Sequence, residues 1–394
     1  MTKNNILWSK VWAIASIQAA VTLTWVIYDL YFPALLVKFG FSQVLSITIL
    51  IIEHAIEALV EPVFGALSDQ QKQRFGTRVP IISLGAILAS AFFIAIPALV
   101  ILGEPNQIWR WLLPFMAIAW ATTMSMFRSP AMALLRNCAP TEQLPQAASI
   151  LTLVAAIIGA FKFDVHGLIL KLGPAFAFTI GSVTLLAAVA LIRWFHPPEP
   201  SSTNTNQTES ASLPILALVF MTGLGIAWGL RFLTPTLNNI FGLIIGENYR
   251  KITMTIFFVS LGLSAIPMGK LGTKLGNTLG ILIGLATTIF CLQLLILISN
   301  QIIFGLILIM LILALSLVLN SPVPFALSVV PPNYSGLATG LYFGGFAGGI
   351  SCFNFVFPQP EQITVNIGSI GSTVSFLLAL LAIAFSMQLK IQEE

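Results

Sequence analysis

Glu53, Glu57 and Glu61 recur every fourth residue inside an otherwise apolar run, with His54 beside the first and Pro62 directly after the last. A four-residue step turns an α-helix through 400°, so the three carboxylates drift by only about 40° per step and rise about 6 Å each. They form one acidic stripe. Buried ionised carboxylates are costly in lipid unless they are paired or face water, and intramembrane acids commonly mark ion or proton paths. Glu57 and Glu61 are therefore the first candidates for holding a proton or another cation, with Asp29 the next. The competing reading is a structural ion-pair cluster with Arg128 or Lys162. Glu53 and His54 lie nearer the end of the run and are expected to be solvated.

A second group has the chemistry to meet a polar solute. Arg128 offers five donors in a fixed plane, able to pair with a glutamate or to hold a carboxylate or hydroxyl. Lys162, Asp164 and His166 fall within five residues, and on a continuous helix Lys162 and His166 would share a face. That cluster reads equally as a pathway or as side chains reaching the interface. Trp228 precedes Arg231, Trp25 and Tyr28 flank Asp29, and Asn320 ends an apolar run. The aromatic faces of Trp25, Tyr28, Trp120 and Trp228 could stack on a ring, or could pack the interior. No metal-ligand spacing, catalytic motif or phosphate loop occurs, so neither enzyme chemistry nor ATP coupling within this chain is expected.

A third constellation follows the acidic stripe. Gly65, Asp69, Arg74, Gly76 and Arg78 compose a short charged loop in which glycine permits a tight return. Charges there can pair across helix ends in one state and separate in another, making a latch, while a positive loop also anchors topology. The related stretch Gly269 to Gly276 has Thr273 in place of the acid, so any latch is asymmetric.

The elements that carry these groups are apolar helices. Hydrophobic residues make up 57% of the 394 and charged ones 8%, against about a quarter charged in soluble domains. Mean hydropathy is +0.95. Runs near 11–36, 44–67, 80–102, 109–134, 147–170, 174–194, 213–235, 252–269, 278–299, 301–320, 335–357 and 366–388 each suffice to cross a bilayer as a helix, which takes about 20 residues. They are continuous rather than alternating, which excludes barrel strands. The expectation is an all-α integral membrane protein of about twelve spans. The first run is too long for a signal-peptide core and is expected to be retained. Cys138, Cys291 and Cys352 are read as packing residues.

The polar stretch 196–212 divides the chain into 1–195 and 213–394, two six-helix bundles. Ser129-Pro130 recurs as Ser321-Pro322, and Pro140 as Pro332, at matching places. Internal repeats of this kind are a feature of transporter folds. Lys3, Lys10, Lys72, Arg74, Arg78, Arg136, Arg193, Lys270, Lys274 and Lys390 fall on one side, against Lys38, Arg110, Lys171, Arg250 and Lys251 on the other. That excess puts both termini and the 196–212 linker in the cytoplasm, and the chain in a cell (inner) membrane. Gly340, Gly344, Gly345, Gly348 and Gly349 crowd the eleventh span, where small residues let helices approach and slide.

The run Glu57-Ala58-Leu59-Val60-Glu61-Pro62-Val63-Phe64-Gly65, followed by Asp69, Arg74-Phe75-Gly76-Thr77-Arg78 and Pro80, resembles the second helix and loop of the glycoside–pentoside–hexuronide (melibiose carrier) transporters. The loop also resembles that of the sucrose–proton symporters. Both belong to the major facilitator superfamily, which implies two bundles working by alternating access. The resemblance implies that Glu57 and Glu61 bind the coupling cation. One position departs: the melibiose-type carriers place an aspartate where this chain has Arg128, and a fixed positive charge there favours proton over sodium coupling. The expected function is cation-coupled transport of a small sugar-like solute. The alternatives are an exporter of amphipathic compounds and a pigment- or lipid-carrying relative that performs no transport. Expected partners are the solute and membrane lipid, with no cofactor, no nucleic acid and a monomeric state.

Overall fold

The computed structural model describes residues 5–103, 107–163, 165–195, 211–298, 300–359 and 362–393. Its described residues form helices joined by turns, without strands. In chain order the α-helices are α1 (Trp8–Lys38), α2 (Gln43–Phe75), α3 (Val79–Leu102), α4 (Gln107–Ala133), α5 (Leu144–Gly159), α6 (His166–Leu172) and α7 (Pro174–Phe195). Then come α8 (Leu213–Ile244), α9 (Arg250–Leu275), α10 (Asn277–Leu297), α11 (Gln301–Asn320), α12 (Pro322–Ser328), α13 (Ser335–Val356) and α14 (Val365–Glu393).

Nine helical stretches among the described residues are long and apolar enough to cross a membrane. The helices α2, α4 and α13 are not among them, and these three pack on one another. Their polarity has a structural reason: the acidic stripe, Arg128 and the glycines are turned toward neighbouring helices rather than lipid. Adding them completes the spans expected from the sequence.

Helix ends follow local chemistry more than bilayer thickness. The helix α2 runs past its expected end to Phe75 and stops where Gly76 turns left-handed at φ 71°, a conformation glycine adopts without a Cβ clash. The fifth span, expected as one helix over 147–170, is broken instead. α5 ends at Gly159, a 3₁₀ turn covers Ala160–Lys162, and α6 begins at His166. The two Ser-Pro repeats also differ, since Pro130 lies inside α4 whereas Pro322 starts α12 after a break at Ser321.

One hydrophobic core is built almost wholly from residues between Val11 and Ile192, and a second from residues between Ile215 and Ile383 apart from Ala156. The two halves meet along α2 on α13 and along α5 on α9. Glycine makes the first contact possible. A Cβ on Gly336, Gly340 or Gly344 would strike the α2 backbone, and one on Gly345 or Gly349 would strike α8. The helix α13 is thus wedged between both halves. Cys138 and Cys291 are buried packing residues, but Cys352 is exposed, so the packing reading fails there.

The close approach predicts a contrast. Gly340→Ala puts a methyl against the Glu61 carbonyl and Pro62 Cα, and should lower stability by about 1–3 kcal/mol through overpacking. Gly305→Ala, where nothing lies within 4 Å, should leave stability unchanged or raise it, by up to about 1 kcal/mol from helix propensity. Thermal unfolding of the purified variants in detergent distinguishes the two.

Candidate functional site

The site is built outward from Glu61. Three elements converge on this fully buried residue: α2 carries it, α4 brings Arg128 and Ser129, and α13 packs behind. Arg128 Nε donates to Glu61 Oε1 at 2.7 Å, and Arg128 Nη2 lies 2.7 Å from the same oxygen. The Ser129 hydroxyl donates to the other oxygen, Oε2. Both carboxylate oxygens are therefore occupied from α4. Thr339 of α13 donates to the Ser129 carbonyl at 3.1 Å, and the Phe343 ring centroid lies 4.8 Å from the Arg128 guanidinium carbon. A change in the Glu61–Arg128 pair must be felt by a helix of the other half.

One turn along the stripe, Glu57 Oε2 lies 3.0 Å from His54 Nδ1. A further turn along, the Tyr28 hydroxyl donates to Glu53 Oε1 at 2.5 Å. The expectation that Glu53 and His54 are solvated does not hold, since Glu53 is 0% and His54 7% exposed. α1 covers them: the Trp25 ring stacks on His54 with centroids 5.2 Å apart, and Trp25 and Tyr28 both lean on Trp120. Trp120 is itself fully buried. In this state Tyr28 and Trp120 seal the acidic stripe and offer no face to a solute.

The remaining predicted residues fall into two other places. Asp29 and Lys162 form an ion pair at 2.5 Å, each about two-fifths exposed. Arg231 of α8 is exposed and feels the Asp29 charge from the other half. Lys162 thus pairs with Asp29 and not with the acidic stripe. Because the helix breaks after Gly159, the four-residue spacing places no common face across Lys162 and His166. Asp164 lies outside the described residues. Trp228 packs edge-on against Phe232 and Phe353.

Asn320 occupies a different spot, a cavity of about 250 Å³ between the halves. Its Nδ2 donates to the Ala265 carbonyl at 2.8 Å, while its buried Oδ1 has no partner in the protein. Gln18 and Thr152 supply further polar groups, and Phe258, Tyr342 and Phe343 supply aromatic walls. Phe343 separates this cavity from Arg128. Among the described residues no group of three or more His, Cys, Asp or Glu is arranged to hold a metal ion.

The loop constellation closes one end of the molecule. Asp69 pairs with buried Arg78 and also accepts from the backbone amides of Gly336 and Leu337, at 2.8 Å each. Those amides belong to the first turn of α13, where N–H groups lack helical partners and the helix dipole is positive. The Asp69 contact therefore reaches the other half, through backbone rather than side chain. Gly65 packs directly on Gly336 and Gly76 caps α2, whereas Arg74 is exposed. A second bond of the same kind comes from Arg136, whose Nη1 donates to the Leu327 and Val330 carbonyls at the end of α12. On the Thr273 side, Asn277 Nδ2 donates to the Thr141 carbonyl at 3.0 Å.

Sequence reasoning did not single out Ser129 as a partner of Glu61, or Arg136 as a bridge. Ser129 had a signal, its adjacency to Arg128 on α4. The amides of α13 had none, because backbone groups carry no mark in a sequence.

The Major Facilitator Superfamily profile matches residues 14–353. No curated protein matches the sequence. Among solved structures, the chain is similar to a bacterial homologue of the iron transporter ferroportin in an outward-facing state, with TM-score 0.68 and 16% identity over 96% of this chain and 99% of that one. It is also similar to the proton:xylose symporter XylE, with TM-score 0.69 and 13% identity over 97% and 95%. The human organic anion transporter MFSD10 gives TM-score 0.67 and 13% identity over 96% and 99%. At these identities the likeness establishes the fold and leaves the cargo open. An all-helical chain with polar helices turned inward, two cores meeting around a cavity, and a family match across most of its length belongs to the major facilitator superfamily of membrane transporters.

Proposed function

We propose that this chain is a secondary transporter that couples proton movement to passage of a small polar, sugar-like solute by alternating access. The observation that carries the coupling is the buried Glu61–Arg128–Ser129 contact behind the α2–α13 packing. Protonating Glu61 would cancel its attraction for Arg128, and a freed guanidinium would rearrange against Phe343, which lines the central cavity. Proton occupancy and cavity shape would then be linked without a metal. Glu57 and Asp29 are further proton carriers in this reading, and Asn320, Gln18 and Thr152 are its polar contacts for the solute. Arg128, Trp25, Tyr28, Lys162, Trp228 and Arg231 act around that cavity rather than within its walls.

In this proposal the halves are 1–195 and 213–394, joined by 196–212, with the Asp69 end in the cytoplasm. The latch at Asp69 and the Arg136 bridge then hold the cytoplasmic end shut. A second reading, export of an amphipathic compound, is favoured by the mainly apolar walls of the cavity. Proteoliposomes with an imposed pH gradient separate the two. Accumulation of labelled sugars supports the first, and gradient-driven movement of an amphipathic dye without sugar uptake supports the second.

Five variants test the scheme. Glu61→Gln should abolish uphill accumulation while downhill exchange persists, and full accumulation in the Glu57→Gln, Glu61→Gln double variant would overturn the assignment. Arg128→Ala should cost about 3–5 kcal/mol of stability by leaving a buried carboxylate unpaired. Combining it with Glu61→Gln should restore thermal stability without restoring transport. Asp69→Asn removes a charge that binds the first turn of α13, worth about 1.5–3 kcal/mol. The state with this end closed should then be depopulated by about ten- to hundredfold. Flux should fall more than solute affinity, and equal loss of both would count against a latch.

A further inference from the structure

The Glu61–Arg128 pair accounts for one of the three buried carboxylates of the acidic stripe. Glu53 and Glu57 have no cation to match them within the stripe unless His54 is protonated. Glu53 touches one donor, the Tyr28 hydroxyl at 2.5 Å, and its other oxygen, Oε2, is buried without a partner. Glu57 is in the same position: Oε2 faces His54, and Oε1 is buried without a partner. A buried carboxylate oxygen with no donor from the protein is an unfavourable place for negative charge and a natural place for a proton.

Charge counting points the same way. With Glu53, Glu57 and Glu61 ionised and His54 neutral, three negative charges face the single positive charge of Arg128. Two protons restore neutrality: one on Glu53, and one shared between His54 and Glu57. Among the described residues the surrounding elements supply no other compensation. From α1 the facing groups are Tyr28, which donates to Glu53, and Asp29, whose charge is already paired with Lys162. From α4 there is Arg128, held by Glu61, and from α13 there is Tyr342 beside Arg128. Arg231 of α8 lies within electrostatic range of Asp29.

We propose that Glu53 holds a proton in this state and that, together with the His54–Glu57 pair, it forms a second proton-binding site on α2, separate from Glu61–Arg128. This deepens the proton-coupling reading and rests on it. The site is covered from α1 by Trp25, which stacks on His54 and tilts against Trp120. Steps of about 6 Å along the stripe are too long for a direct hop, so transfer toward Glu61 requires a side-chain swing or an entering water.

The test uses purified full-length protein without solute, so it succeeds or fails independently of any transport assay. Infrared spectra should show a protonated-carboxyl band near neutral pH that disappears in Glu53→Gln, an isosteric change that preserves the acceptor for Tyr28. Tyr28→Phe, which leaves Glu53 in place, should shift that band to higher frequency. The Trp25–His54 stack supplies the second readout, because an imidazolium quenches indole emission. Trp25-dependent fluorescence, taken as the difference from Trp25→Phe, should fall on acidification. His54→Gln should remove that pH response, and Glu57→Gln, which takes away the carboxylate against the ring, should alter it. A carboxyl band unchanged by both Glu53→Gln and Tyr28→Phe, or a fluorescence titration unchanged by both His54→Gln and Glu57→Gln, would overturn the second site.

Discussion

A charge held away from water needs a partner of opposite sign or a proton, and in this protein that constraint decides which helices may touch. Glu61 sits at the centre of it. Its two oxygens are taken by Arg128 and Ser129 of α4, so α2 and α4 are bound by an ion pair as well as by packing. The helix α13 then closes over the pair with glycines, whose missing side chains allow backbone contact with Glu61 and Pro62. Stripe, ion pair and glycine ridge are three parts of one arrangement. Larger residues on α13 would hold the halves apart and let lipid or water reach the carboxylate.

The same economy operates at the Asp69 end. Helix termini carry unsatisfied amides and carbonyls, and burying them requires a complement. Asp69 answers the first turn of α13 and Arg136 answers the last carbonyls of α12. Both bonds run from one half to the other, so shifting the halves exposes a charge and a helix end together. Contacts of this kind can break and reform as units, as a two-state element requires.

Between these ends, polarity is distributed unevenly. The acidic stripe is sealed behind Trp25, Tyr28 and Trp120, whereas Asp29, Lys162 and Arg231 remain exposed. The central cavity is mostly apolar, with a single buried amide oxygen of Asn320 left unsatisfied. The buried carboxylates and the polar groups of the cavity are thereby separated by a thin wall, of which Phe343 is a part.

The membrane-spanning, all-helical character was legible in the sequence because apolar runs of sufficient length have no other stable form in lipid. So were the acidic stripe and its partner Arg128, since helical periodicity places Glu57 and Glu61 on one face and a buried acid requires a cation. The glycines of α13 also announced close packing. What the sequence could not show is which residues lie across from one another. Burial of Glu53 and His54 depends on α1 crossing α2, the pairing of Lys162 with Asp29 depends on a helix break at Gly159, and the hold of Asp69 on α13 is made by backbone amides. Periodicity describes one helix at a time. Contacts between helices follow from how twelve of them pack, and that was decided only in three dimensions.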